Sequence, residues 1–260
     1  MLADITRLEL RLRRRSAIGY AAGMALYTLV VVALYPSFKN STSLNSLSGS
    51  TAAALFGVTG PLTSPGGWLN GNIYGNFFPL IMLLLTIGYG AATLAGQDED
   101  GTLALIAALP IRRRAIVFQK AWAMALQALL LAAAVTACVL AGRGSQLTVG
   151  PGDAAAIAAA LTLMGLDFGL ITMAAGAATG RRGTALGIGT GLAAASYLLS
   201  SLATTISGLR PARYLSLFYW SVGNNQISKG VSTADFTVLA VAGLCALFAA
   251  VATFRQADLN

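Results

Sequence analysis

Six stretches of about twenty residues, at 16–35, 77–95, 121–141, 154–176, 184–207 and 235–254, are almost free of charge and show no alternation of apolar with polar residues. Coiled as α-helix, such a run matches the roughly 30 Å hydrocarbon core of a bilayer. Lipid offers no partner for backbone N–H and C=O groups, so only helices or a closed barrel can cross it, and runs without alternation favour helices. The pattern predicts an all-α, polytopic membrane protein with one transmembrane domain spanning 1–260.

Composition narrows the chemistry further. Only 10% of residues are charged and 56% are hydrophobic, against about 25% charged in soluble domains, and the mean hydropathy is +0.71. There is no histidine, which removes the usual general base and the commonest zinc ligand from any intramembrane hydrolase. No G-x-x-x-x-G-K-[ST] stretch is present to cradle a nucleotide phosphate. Cys138 and Cys245 each lie inside an apolar run and read as small core residues. No catalytic residue, metal ligand or cofactor is expected in this chain.

The first fifteen residues, MLADITRLELRLRRR, place Ile5, Leu8 and Leu12 near one helical face and arginines elsewhere, the signature of an interfacial amphipathic helix. The 36–76 connection is rich in Ser, Asn, Gly and Pro and is expected to be a loop, with one small helix at the apolar island 52–58. Its Trp68 and Tyr74, and Tyr214, Tyr219 and Trp220 of the 208–234 loop, read as headgroup-level anchors.

Lysine and arginine set the orientation, because cytoplasmic loops carry their excess. One side holds Arg7, Arg11, Arg13, Arg14, Arg15, Arg112, Arg113, Arg114, Lys120, Arg181, Arg182 and Arg255; the other holds Lys39, Arg143, Arg210, Arg213 and Lys229. Both termini are therefore expected in the cytoplasm, with loops 36–76 and 208–234 outside. The net charge of +8 then reflects topology and contact with anionic lipid rather than nucleic acid.

The 97–120 connection is denser in signals than a link between two spans requires. Asp98, Glu99 and Asp100 precede Gly101-Thr102, an apolar stretch from Leu103 through Leu105 follows, Pro110 stops it, and Arg112, Arg113 and Arg114 begin the next helix. Acidic residues suit a helix N-terminus, and the arginines suit phosphate headgroups. A short helix lying along the membrane could dock into a groove of another protein or simply rest solvated at the interface.

The stretch DEDGTLALIAALPIRRRAIVFQK, from Asp98 to Lys120, resembles the permease subunits of type-2 ATP-binding-cassette (ABC) exporters. The wider plan of a basic N-terminal helix, six spans and an aromatic loop before the last span is similar too. The resemblance implies a short coupling helix over 101–109, seated in a cleft of a separate cytoplasmic ATPase that binds ATP and Mg. Asp98, Glu99, Gly101, Thr102, Leu103, Leu105, Pro110, Arg112 and Arg113 would be contact and hinge positions, and the turn at Arg181 and Arg182 a second contact. It further implies a second permease subunit and alternating access, in a bacterial plasma membrane; a central cavity lined mainly by apolar side chains with few fixed charges would suit an amphipathic, lipid-like or drug-like substrate.

Asp167 lies inside the fourth apolar run, where a carboxylate costs about 3 kcal/mol on insertion scales and faces either a partner or a cavity. One possibility is a helix-bridging hydrogen bond to a threonine or to Gln127; the other is a substrate path through Asp167 and Gln127. A proton- or cation-coupled secondary transporter using Asp167 is the alternative to the ATP-driven permease.

Overall fold

A computed structural model describes residues 4–41, 61–103, 112–223 and 226–256. Six helices are long and apolar enough to cross a membrane: α1 (Asp4–Phe38), α2 (Pro65–Glu99), α3 (Arg113–Ala141), α4 (Pro151–Thr179), α5 (Arg182–Thr205) and α6 (Thr233–Gln256). No strand occurs among the described residues. The all-α, multi-pass expectation is met. The small helix expected at 52–58 lies outside the described residues.

Helix α4 is the axis of the bundle. Its apolar residues run round the whole helix, and α2, α3, α5 and α6 all pack against it, while α1 lies outside on α3. Small residues permit the closest of these approaches: a Cβ added at Gly90 of α2 would stand 2.3 Å from the carbonyl oxygen of Gly169 in α4. On α5, a Cβ at Gly189 would meet the Thr172 hydroxyl of α4 at 2.0 Å. Helices with no hydrophobic driving force between them in lipid gain their contact by such close packing. Their outer faces carry Leu26 and Val30 of α1, Leu129 and Leu130 of α3, and Leu244 and Phe248 of α6, all exposed and suited to lipid.

Two features differ from the sequence reading. The N-terminal stretch is not a separate helix: no Gly or Pro interrupts residues 4–18, and α1 runs unbroken into the first span. Its buried face is Ile5, Thr6 and Glu9, while Leu8 and Leu12 are 48% and 67% exposed.

The second difference is the start of α2, twelve residues ahead of the apolar run, in a stretch read as loop. Ser64 caps it by accepting the Gly67 N–H at 3.1 Å, and Pro65 sits where its missing N–H costs nothing. Residues Asn70–Phe77 then wind as a wide π-helix. That explains the spacing of the buried apolar residues Trp68, Leu69, Ile73, Tyr74 and Phe78, which repeats at about four to five residues. The asparagines that read as loop signals bond back along the wide turns, Asn72 to the Trp68 carbonyl at 2.9 Å and Asn76 to the Gly71 carbonyl at 2.8 Å. Trp68 and Tyr74 are thus core residues rather than anchors.

Candidate functional site

The termini of α1 and α6 and both arms of the α2–α3 connection meet at one end of the bundle, which also carries the α4–α5 turn. Most of the arginines lie here, so we refer to it as the basic end.

Lys120 sits in the second turn of α3. Arg112, Arg113 and Arg114 are exposed ahead of it, whereas Ile116, Lys120, Met124 and Ala128 follow one another along a buried face. The Lys120 side chain is 0% exposed, yet each ammonium hydrogen has an acceptor. Nζ donates to Glu9 Oε1 at 2.7 Å, to the Thr93 carbonyl at 2.8 Å and to Gln97 Oε1. Gln97 Nε2 donates to the same Glu9 oxygen at 2.9 Å. Around this triangle, Arg13 Nε stands 3.5 Å from Glu9 Oε2 and its guanidinium lies over the Tyr89 ring at 4.5 Å. The first turn of α1 adds the Ile5 N–H to Gln119 Oε1 at 3.2 Å and the Thr6 hydroxyl to the Gln119 carbonyl at 3.1 Å.

Burial alone would raise the Glu9 carboxyl, but the Lys120 ammonium outweighs it and holds the group below its ordinary value of 4.5. For Lys120, burial pulls the other way and lowers the amine despite Glu9. With three acceptors in place and the carboxylate at 2.7 Å, the ion pair is the state that satisfies every hydrogen.

A carboxyl lowered in the folded state contributes stability above its unfolded value and loses it as pH falls through the folded one. Detergent-solubilised protein should therefore hold a flat Tm above about pH 4.5 and lose stability below it. The Glu9→Gln variant should be less stable by about 3 to 5 kcal/mol at neutral pH, because it leaves a buried charge unpaired, and should lose the acid-dependent part contributed by this group. A thermal-melt series from pH 3 to 8 reads both.

The acidic run lies at the end of α2, which closes at Gly101 in the left-handed region (φ 69°). Thr102 and Leu103 directly after it are helical, and the rest of the helix expected over 101–109 lies outside the described residues. Glu99 serves the N-terminus of α5: its Oε1 accepts the Arg182 backbone N–H at 2.9 Å, where a carboxylate is favoured by the orphan N–H groups and the helix dipole. Asp98 Oδ2 faces Gly180, the left-handed cap of α4, where an added Cβ would stand 3.4 Å away. The two predicted contact segments, 98–103 and 181–182, are thus one bonded unit. Beside it, Arg113 of α3 donates to the Phe254 carbonyl of α6 at 3.5 Å.

Asp100, Gly101 and Thr102 are exposed on this unit, as are Arg112, Arg113, Arg181 and Arg182. Leu103 turns inward, 2% exposed, and packs in a cluster with Ile5, Ile116 and Val117. Leu105 and Pro110 lie outside the described residues. Glu9 was not singled out from the sequence; the available signal was an acid at i+4 from Ile5 on an arginine-rich stretch of helix.

In the middle of the bundle, Asp167 is 1% exposed on α4, its Oδ1 lying 2.5 Å from where a Cβ of Gly243 in α6 would stand, and its Oδ2 is without a hydrogen-bond partner. Gln127 Nε2 donates to the Ala123 carbonyl of its own helix at 3.3 Å. Neither lines a cavity of about 760 Å³ between α2 and α5, whose walls include Phe77, Leu80, Leu83, Leu84, Ala193 and Tyr197. Asn76 and Thr190 are the polar side chains among its lining residues, with the Tyr197 hydroxyl. Among the described residues, no three His, Cys, Asp or Glu side chains come together to hold a metal.

A family model described as ABC-2 family transporter protein matches residues 3–259 of the chain. No curated protein matches it.

Proposed function

The chain belongs to the ABC-2 family of transporter proteins and is the membrane permease of an ABC transporter, and from this we propose that it exports an amphipathic, lipid-like or drug-like substrate. Family membership implies an ABC ATPase subunit as partner. ATP and Mg bind to that partner, and this chain contributes no ATPase site of its own. The working unit pairs two permease subunits, identical or different, in a bacterial plasma membrane with both termini in the cytoplasm. On that orientation the basic end faces the ATPase.

The observation that carries the substrate reading is the cavity between α2 and α5. Its 760 Å³ is within the range of small-molecule sites, and its walls are aliphatic and aromatic with three hydrogen-bonding side chains. Among the described residues no charged side chain lines it, so an inorganic ion or a sugar would shed its water there without replacement. An apolar body with a polar tip would not.

Inside-out membrane vesicles given ATP should accumulate a fluorescent amphipathic dye. Ala193→Trp, which fills the cavity from α5, should reduce the rate at least tenfold while the ATPase subunit stays bound. Dye accumulation unaffected by the tryptophan would move the substrate elsewhere in the bundle.

The buried, unpartnered Asp167 keeps a second reading testable. Asp167→Asn preserves the shape and removes the ionisable group. The exporter reading expects ATP-dependent dye uptake within about twofold of wild type. Uptake that survives without ATP, follows an imposed pH gradient and disappears in Asp167→Asn would assign transport to a proton-coupled carrier.

A further inference from the structure

At the end of the bundle opposite the basic end, residues 207–223 return from α5 toward α6 in short turns. Ser216 pins this segment to α5: it is fully buried, and its hydroxyl donates to the Ser196 carbonyl at 2.7 Å. Two residues on, Phe218 lines the cavity and meets the Tyr197 ring edge-on at 5.4 Å. The rings around it are locked as well. Trp220 Nε1 donates to the Tyr214 carbonyl at 2.8 Å, Gln226 Nε2 donates to the Tyr219 carbonyl at 2.9 Å, and the Tyr214 and Tyr219 rings stand edge to face at 5.3 Å.

Arg213 lies against both of those tyrosines, its guanidinium 4.9 Å from each ring centroid, a setting that suits a planar, weakly hydrated cation. Of the five N–H donors of an arginine, one has an acceptor among the described residues, the Tyr214 hydroxyl at 2.9 Å; Nε is buried without one. No carboxylate pairs with Arg213 among the described residues. The acids at this end serve helix starts instead: Asp235 Oδ2 accepts the Ser232 N–H at 2.9 Å ahead of α6, and Asp153 lies in the first turn of α4. The surface beside the arginine is apolar, with Leu215 83% exposed, Tyr214 50% and Ile206, just past α5, 46%. In a membrane-spanning chain, a cation set among exposed apolar and aromatic side chains belongs where headgroups meet acyl chains.

We propose that Arg213, clamped by Tyr214 and Tyr219, is a phospholipid site, with the lipid phosphodiester on the guanidinium and an acyl chain along Ile206 and Leu215. Phosphate forms charge-assisted hydrogen bonds with a guanidinium, and the two rings already hold the side chain still, which removes much of the ordering cost of binding. A glycolipid headgroup offers hydroxyls but no anion and gains little here. On the orientation proposed above, the lipid comes from the outer leaflet. It fastens the 207–223 segment, and with it the Phe218 part of the cavity wall, at the headgroup plane.

The test reads tryptophan quenching in nanodiscs of digalactosyl diacylglycerol, a lipid without phosphate, holding the permease with whatever accompanies it from the membrane. Trp122→Phe removes the exposed tryptophan of α3, and Trp220, whose ring lies 5.8 Å from that of Tyr214, is the reporter. A small fraction of phosphatidylglycerol, brominated near the top of its acyl chains, should quench with at least fivefold preference over the same fraction of brominated digalactosyl diacylglycerol. Arg213→Met keeps the stem between the rings and should abolish the preference. Arg213→Lys, cationic but not planar, should lose at least half of it. Millimolar inorganic phosphate at constant ionic strength should leave the quenching unchanged.

No preference in the wild type, or a preference unchanged in Arg213→Met, would overturn the site. Displacement by inorganic phosphate would overturn the lipid as its occupant. If Arg213→Met does not elute as folded protein, Arg213→Lys decides: a loss of at least half the preference supports the clamped guanidinium, and full preference overturns it.

Discussion

A Gly90→Val variant should yield little or no monodisperse protein. The added Cβ would lie 2.3 Å from the Gly169 carbonyl oxygen and 3.2 Å from both the Gly169 carbonyl carbon and the Met173 nitrogen. All three are backbone atoms of α4, so no rotamer change relieves the collision and the two helices must separate. Gly169 is itself wedged between Met124 of α3 and Thr86 of α2, so moving α4 away from α2 drives it into α3. Overpacking of an ordinary core costs about 1 to 3 kcal/mol; against backbone on the axial helix the cost should exceed that range. Gly19→Val is the control, since nothing stands within 4 Å of a Cβ there, and it should extract and elute as wild type. Fluorescence-detected size exclusion separates the two. Normal elution of Gly90→Val would mean that α2 and α4 do not approach as described.

The second large effect concerns the ATPase rather than the fold. Asp100 and Thr102 are exposed at the turn that closes α2, and Asp100 contributes only its backbone N–H, to the Gly96 carbonyl at 3.0 Å. Thr102 makes one side-chain bond, to the Gln97 carbonyl at 3.2 Å. The pair Asp100→Arg with Thr102→Arg should therefore leave melting temperature nearly unchanged, as surface substitutions do. On a docked turn it introduces two desolvated cations, and a loss of about 2 kcal/mol or more is typical of a central interface position, roughly a thirtyfold loss of affinity. Leu103→Asp cannot serve this purpose: Leu103 packs with Ile5 and Ile116 inside the chain itself, and a carboxylate there would loosen the basic end whether or not an ATPase binds.

Much of the architecture is legible in the sequence because lipid demands it. Uninterrupted apolar length is a local property, and each of the six runs appears as a helix. The start of α2 is not legible for a physical reason: Gly71, Asn72, Gly75 and Asn76 are loop formers by local propensity. Here they are held in wide turns by asparagine side chains bonding to carbonyls and by burial of Trp68 and Tyr74. Tertiary packing overrides the local signal.

The basic end divides in the same way. The acidic run and the arginines stand out because they interrupt apolar sequence, but what they touch cannot be read locally. Glu99 meets the N–H of Arg182, 83 residues away, and Glu9 meets Lys120, 111 residues away. The buried face of α1 is hidden for a related reason. In a membrane-bound chain Leu8 and Leu12 face outward without penalty, so apolar spacing marks the lipid side as readily as the core, and the polar Glu9 marks the inside.

The central claim is that this permease works through a separate ATPase seated on its basic end. The most direct measurement is to purify the detergent-solubilised wild type from its native membrane, identify what accompanies it, and assay vanadate-sensitive ATP hydrolysis. We expect a P-loop ATPase in near-stoichiometric amount, with hydrolysis that is lost from the Asp100→Arg, Thr102→Arg preparation while the permease elutes unchanged. A folded wild-type permease that brings no ATPase, or an ATPase retained equally by the double variant, would contradict it.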